Sequence, residues 1–196
     1  MKKISILLLL LFILISCSKK EVKVPKVAMN GQEEVLNNSA IWMFYNKEGS
    51  LDLNENNRIS STNWFFNIDK HLKLKDLMPE VIRLKIKHNK KSPHNTKPMS
   101  NYFTYVNSLN DHLSFYPFDS IQYQLIKQDK KPHSSKDTLI VEIQDRNVHL
   151  PNQANYKIIQ PVFDGEMSFQ EYFESVVLLK KLVLPATISS KEYIVD

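Results

Sequence analysis

Asn63-Trp64-Phe65-Phe66-Asn67-Ile68-Asp69, followed by Leu74, Leu77, Met78, Val81 and Ile82 at three- and four-residue steps, is the stretch on which the fold reading turns. The two-residue period puts Trp64, Phe66 and Ile68 on one face of a strand. The second spacing is that of an amphipathic helix running to about His88. Asp76 is expected to cap it, because Pro79 then falls in the first turn, where a missing N–H costs nothing; a start nearer Leu72 would leave Pro79 inside. Upstream, Ile41-Trp42-Met43-Phe44-Tyr45 ends at the turn signal Asn46-Lys47-Glu48-Gly49, giving a strand that forms a hairpin with the first or lies beside it. Downstream, Ser100 caps a second expected helix that carries Tyr102, Val106, Leu109 and Leu113 on one face. Ile121, Tyr123 and Leu125, then Leu139, Val141 and Ile143, alternate as strands, and Tyr156–Ile159 adds another that Pro161 stops. Ser168-Phe169-Gln170-Glu171 is a capping box opening a third helix to about Leu182. These segregated elements predict one α+β domain with a mainly antiparallel or mixed sheet and about three helices. No internal repeat or low-complexity block stands out.

The N-terminus carries a different message. Lys2 and Lys3 precede the apolar run Ile4–Ile15, which is shorter than the roughly 20 residues needed to cross a bilayer and stops at Ser16-Cys17-Ser18. Leu14-Ile15-Ser16-Cys17 resembles the lipobox of bacterial lipoproteins. The resemblance implies cleavage before Cys17, acylation of that cysteine with palmitate-type chains, and an extracytoplasmic domain held to the membrane through covalent lipid. Read instead as an uncleaved membrane helix, the segment still leaves the rest of the chain outside the cytoplasm. Ser18 lacks the aspartate that retains some lipoproteins at the inner membrane, so an outer-membrane place in the cell envelope is preferred. The resulting division is a signal peptide over 1–16, a lipidated tether over 17–38 and the domain over 39–196.

Cys17 is the sole cysteine, which leaves none for a disulfide, a cysteine metal site or a thiol nucleophile. The mature chain, with 24 basic and 21 acidic side chains, is too mildly charged to suggest nucleic acid. Asp52-Leu53-Asn54-Glu55-Asn56-Asn57 alternates oxygen ligands like a calcium loop, but Asn57 stands where that loop needs glycine and Asn63 where it needs a bidentate carboxylate; a polar hairpin loop is the simpler reading. The histidines are dispersed, with His88 and His112 read as surface residues near helix ends, so no metal and no cofactor is expected. Only three glycines occur, and none flanks a serine as a nucleophile elbow requires. Trp64-Phe65-Phe66 reads either as an aromatic platform or as a strand covered on both faces.

Residues 81–110 contain no carboxylate, whereas Arg83, Lys85, Lys87, Lys90, Lys91 and Lys97 are basic. This run is read either as a helix end whose lysines complement the dipole or as a face for an anionic envelope component or envelope protein. Phe66-Asn67-Ile68-Asp69-Lys70 with the helix after it resembles the strand, Asp-Lys turn and helix of the periplasmic domain in biopolymer-transport proteins, which is a hint of fold. The function expected is a non-enzymatic binding or assembly-support module of the envelope; the alternative is an anchored hydrolase acting on cell-wall or glycan material through two carboxylates from separate loops.

Overall fold

The computed structural model describes residues 21–90, 99–148, 156–182 and 186–196. The expected signal peptide over 1–16 and Cys17 lie outside these residues, as do Lys91 and Lys97. In chain order the elements are β1 (Lys26–Val27), β2 (Asn38–Tyr45), β3 (Leu51–Asn54), β4 (Asn63–Ile68), α1 (Leu74–Asn89), β5 (Asn101–Asn107), β6 (His112–Pro117), β7 (Gln122–Ile126), β8 (Thr138–Gln144), β9 (Asn147–Val148), β10 (Ile158–Asp164), α2 (Phe169–Leu182), β11 (Thr187–Ile188) and β12 (Lys191–Val195). One six-stranded sheet runs β1-β5-β4-β2-β3 with β6 also on β5; the other runs β7-β12-β10-β8-β9 with β11 also on β10. Both are mixed, and one apolar core draws on both halves of the chain.

The strand-then-helix reading of 63–88 holds, and its flanks explain why. β2 and β3 form a hairpin closed by Asn46, whose Oδ1 accepts from Glu48 N at 3.0 Å and Ser50 N at 2.9 Å, with Gly49 supplying φ +78. β4 then lies parallel to β2, and β5 parallel to β4 after the α1 crossover. The polar loop expected over Asp52–Asn57 therefore begins as the outer strand β3.

Three expectations are corrected. The helix expected from Ser100 is the β5–β6 hairpin, so the described residues hold two α-helices and not three. Tyr102-Phe103-Thr104-Tyr105-Val106 is rich in aromatic and β-branched residues, and β5 is buried on both faces almost throughout, which hides the two-residue period. Pro161 does not stop β10, which continues to Asp164 between β8 and β12. The Gln160 side-chain amide donates to the Lys191 carbonyl of β12, supplying a donor beside a ring that has none. Finally, α1 starts at Leu74 with Lys73 at the cap position, leaving Pro79 inside and Asp76 in the first turn, where it accepts from the Tyr45 hydroxyl at 2.6 Å.

That early start has a structural cause. Leu74 N donates to Met167 O and Lys75 N to Gly165 O, while Phe169 N donates to Leu72 O and Gln170 N to Lys70 O. Each helix thus has its first amides satisfied by the turn leading into the other, and no capping side chain is needed at Lys73. Lys73 bridges Ser168, 95 positions on. The same offset relates Ile68 to Phe163, Leu72 to Met167, Leu74 to Phe169, Leu77 to Tyr172, Met78 to Phe173, Val81 to Val176 and Leu84 to Leu179, and every one of these side chains is buried. The chain therefore contains an internal structural repeat: β2-β3-β4-α1-β5 and β8-β9-β10-α2-β12 share element order and sheet order, related by a pseudo-twofold axis between the crossed turns. The Asp-led turn recurs too, with Asp69 Oδ1 accepting from His71 N at 3.0 Å and Asp164 Oδ1 from Glu166 N at 2.9 Å.

Part of the span expected as a tether, 17–38, lies within the described residues. Lys70 N donates to Lys23 O, Lys23 N to Asp69 Oδ2 at 3.3 Å, and β1 pairs with β5, so the chain is bound into the fold from Lys23 onward. Among the described residues no helix is long and apolar enough to cross a membrane.

Candidate functional site

The repeat locates the site by the place where it fails. In the first unit Phe66 pairs with Phe103, a core ring 0% exposed. In the second, Val162 pairs with Tyr193, and Val162 corresponds to Asn67, the residue after Phe66. The residue before Tyr193 is therefore the counterpart of Phe103, and it is Glu192. Alternation along β12 puts Glu192 on the inward side with Ile194, and it is only 5% exposed. One unit fills this place with a phenyl ring in contact with Phe118, Phe169 and Phe173; the other puts a carboxyl group there.

Hydroxyl groups converge on that carboxyl. Tyr172 of α2 donates to Glu192 Oε2 at 2.8 Å, and Tyr123 of β7 lies 3.2 Å from the Tyr172 oxygen, completing a relay from Tyr123 through Tyr172 to Glu192. Burial pushes the Glu192 carboxyl up to about 7, with the Tyr172 hydrogen bond and then Lys180 and Lys85 pulling the other way. Burial likewise pushes Tyr116 up to about 12 and holds Tyr123 and Tyr172 well above the usual phenol range. The lysines are repeat counterparts, Lys85 on α1 and Lys180 on α2, and burial lowers both. Lys85 donates to the Phe118 carbonyl at 3.1 Å and to the Ile121 carbonyl, while Lys180, an exposed residue, sets its ammonium 4.3 Å above the Tyr116 ring.

A cavity of about 240 Å³ opens beside Glu192, with Lys180, Tyr116, Ser189 and Ser190 among its walls. A second, of about 360 Å³, lies across Ile121 and is bordered by Lys85, Lys90 and Tyr123. A buried carboxyl with a raised proton affinity on a cavity is a functional-site candidate. Among the described residues Glu192 is the sole carboxylate on the first cavity, and no group of three potential metal ligands occurs.

Neither family models, nor curated proteins, nor solved structures give a match.

The basic run is only partly brought together. Arg83 pairs with Glu80 at 2.7 Å and Glu55 at 3.7 Å, and Lys87 lies 3.9 Å from Glu55, so carboxylates from outside residues 81–110 reach this face. Lys85 turns away toward Ile121, Lys90 borders the larger cavity, and Lys91 and Lys97 lie outside the described residues. His88 is a correction: it is buried, stacked on Trp64 at 3.9 Å, with Nδ1 2.8 Å from Asn101 Oδ1 and Nε2 3.1 Å from Thr62 O. His112 is exposed as expected but sits on a strand. Trp64, Phe65 and Phe66 are covered on both faces of a central strand, so the platform reading of that stretch falls away.

Glu192 was not singled out by the sequence. Lys191-Glu192-Tyr193-Ile194-Val195 does alternate, but a single glutamate in a short strand reads as solvent-facing until its neighbours show which side is inward.

Proposed function

We propose that this chain is a lipid-anchored binding domain of the bacterial cell envelope that takes a small polar ligand beside Glu192 and performs no chemistry on it. The carrying observation is the exchange of a core phenylalanine in one repeat for a buried carboxyl in the other. Burying such a group is unfavourable, and a sequence that keeps it against a proven apolar alternative at the equivalent place gains something other than stability. The hydrolase reading calls for two carboxylates about 5–9.5 Å apart across the substrate, and the cavity offers one. The anchor is Cys17, with a leash of residues 18–22 before the bound Lys23; at about 3.5 Å per residue this keeps the domain within roughly 20 Å of the membrane surface. An anionic envelope component drawn to the same molecule would meet Arg83, Lys87 and Lys90.

The test is saturation-transfer NMR of the full chain, in non-ionic detergent, with the small-molecule fraction of an envelope extract. Wild type should transfer saturation to a ligand, and Glu192→Leu, which mimics the apolar repeat, should not. Silence from the wild type, or equal transfer to both, ends the reading, as would release of new reducing ends from cell-wall polymer. Metabolic labelling with a palmitate analogue checks the anchor separately: the wild type should take up label and Cys17→Ala should not.

A further inference from the structure

Taking the binding reading as its base, we infer that the Glu192 cavity accepts a zwitterion, a small molecule with an ammonium group and an anionic oxygen group a few bonds apart on an aliphatic body. Glu192 and Lys180 line the same cavity. Each feels the other's charge, yet among the described residues neither enters any ion pair within 4.0 Å. Glu192 has the Tyr172 hydroxyl as its hydrogen-bond donor, and the Lys180 ammonium lies over the face of Tyr116. Two opposite charges thus line one cavity without pairing with each other.

The alternatives meet at most one of the two charges. A simple cation satisfies Glu192 and is repelled at Lys180; a simple anion does the reverse; a neutral polar molecule leaves both as they were. A zwitterion with its ammonium at Glu192 and its anionic group at Lys180 completes both. Val176, Leu179 and Ile188 give the cavity an apolar wall for an aliphatic body. The volume of about 240 Å³ is smaller than the roughly 300–1,000 Å³ of sites for drug-sized ligands, which points to a molecule of amino-acid size or to a headgroup. The chemistry is shared by a free α-amino acid and by the phosphoethanolamine headgroup of a membrane lipid.

An ammonium group placed against Glu192 favours the carboxylate, so binding releases a proton from the fraction of molecules in which Glu192 is protonated. Affinity should therefore rise as the pH passes upward through about 7. Among the groups facing Glu192, Tyr172 and Lys180 come from α2, Tyr123 from β7, Tyr116 from β6 and Lys85 from α1, and the tyrosines, all raised, stay neutral across that interval.

Titration calorimetry of the full chain in non-ionic detergent tests this with four probes: L-leucine, glycerophosphoethanolamine, 3-methylbutylamine and 4-methylpentanoate. One of the two zwitterions should bind, identifying the source, and the two single-charge analogues should bind at least about tenfold more weakly. Glu192→Gln, which keeps the shape and loses the charge, should weaken the zwitterion about thirtyfold or more, and Lys180→Met, at the mouth, several-fold. Amine binding equal to that of leucine, or affinity unchanged by Glu192→Gln, overturns the zwitterion. If neither zwitterion binds while an extract ligand is still lost in Glu192→Leu, the ligand class alone is wrong; if the extract is silent as well, the binding reading falls with it.

Discussion

Raising the pH from about 4 to about 8 should cost the folded domain roughly 3 kcal/mol through Glu192 alone, and Glu192→Gln should abolish that share of the loss. The carboxyl titrates near 4.5 in the unfolded chain and near 7 in the folded one. Below about 4.5 both states hold the proton and the group is neutral in the balance. Between the two values the folded state alone keeps it, so stability falls as the pH rises; above about 7 the full penalty of a buried carboxylate is present. A difference of 2.5 pKa units corresponds to about 3 kcal/mol. For a domain of this length that is a drop of roughly 10 °C in thermal midpoint. Subtracting the pH profile of Glu192→Gln from that of wild type removes the contributions of groups that do not interact with Glu192, and leaves Glu192 together with its coupling to Lys85 and Lys180. Parallel profiles would show that Glu192 is solvated in the folded state and would weaken the site with it. Glu192→Leu should be the more stable protein at pH 8, because it removes the buried charge at the loss of one Tyr172 hydrogen bond, worth about 1 kcal/mol.

What the sequence disclosed follows from how much each segment depends on its neighbours. α1 was legible because one side of the helix faces the core and the period survives, and β4, though buried on both faces, was legible from its compact aromatic run between polar ends. The Ser168 capping box was legible because its bonds are local, and it is present, with Ser168 N donating to Glu171 Oε2 at 2.8 Å and Glu171 N to Ser168 Oγ at 3.2 Å. β5 was not, since a strand buried on both faces has no alternation to read and its Tyr102, Val106, Leu109 spacing imitates a helix. Asp76 failed as a cap because the helix starts before it, with Leu77 N already donating to Lys73 O, and the first free amides, Leu74 N and Lys75 N, are taken by carbonyls far along the chain. The repeat escaped notice because its two copies keep character and not identity: Asp69 with Asp164, Val81 with Val176, Leu84 with Leu179 and Lys85 with Lys180 match, while Leu77 with Tyr172 and Met78 with Phe173 match only as apolar bulk. Glu192 became visible only through that repeat, as the carboxyl counterpart of the Phe103 core ring.

The crossed turns carry the other large effect. Gly165 stands where the first repeat has Lys70, yet the two places differ in what surrounds them. A methyl group on Gly165 would run into the carbonyl oxygen of Val195, with the Lys75 side chain 3.1 Å away on another flank. The same peptide is fixed by Gly165 N donating to Val195 O at 2.8 Å and Lys75 N to Gly165 O at 2.9 Å, so it has no free direction in which to yield. Gly165→Ala should therefore separate β12 from the turn and loosen the start of α1, lowering stability by about 3 kcal/mol and the thermal midpoint by roughly 6–12 °C. Lys70→Ala, at the repeat counterpart, removes a side chain while leaving the backbone bond from Lys70 N to Lys23 O, and should stay within about 1 kcal/mol of wild type. Urea titrations of the two variants decide the matter. A Gly165→Ala protein as stable as Lys70→Ala would mean that the crossed turns do not lock the two repeats together, and the shared core would then have to account for their union without them.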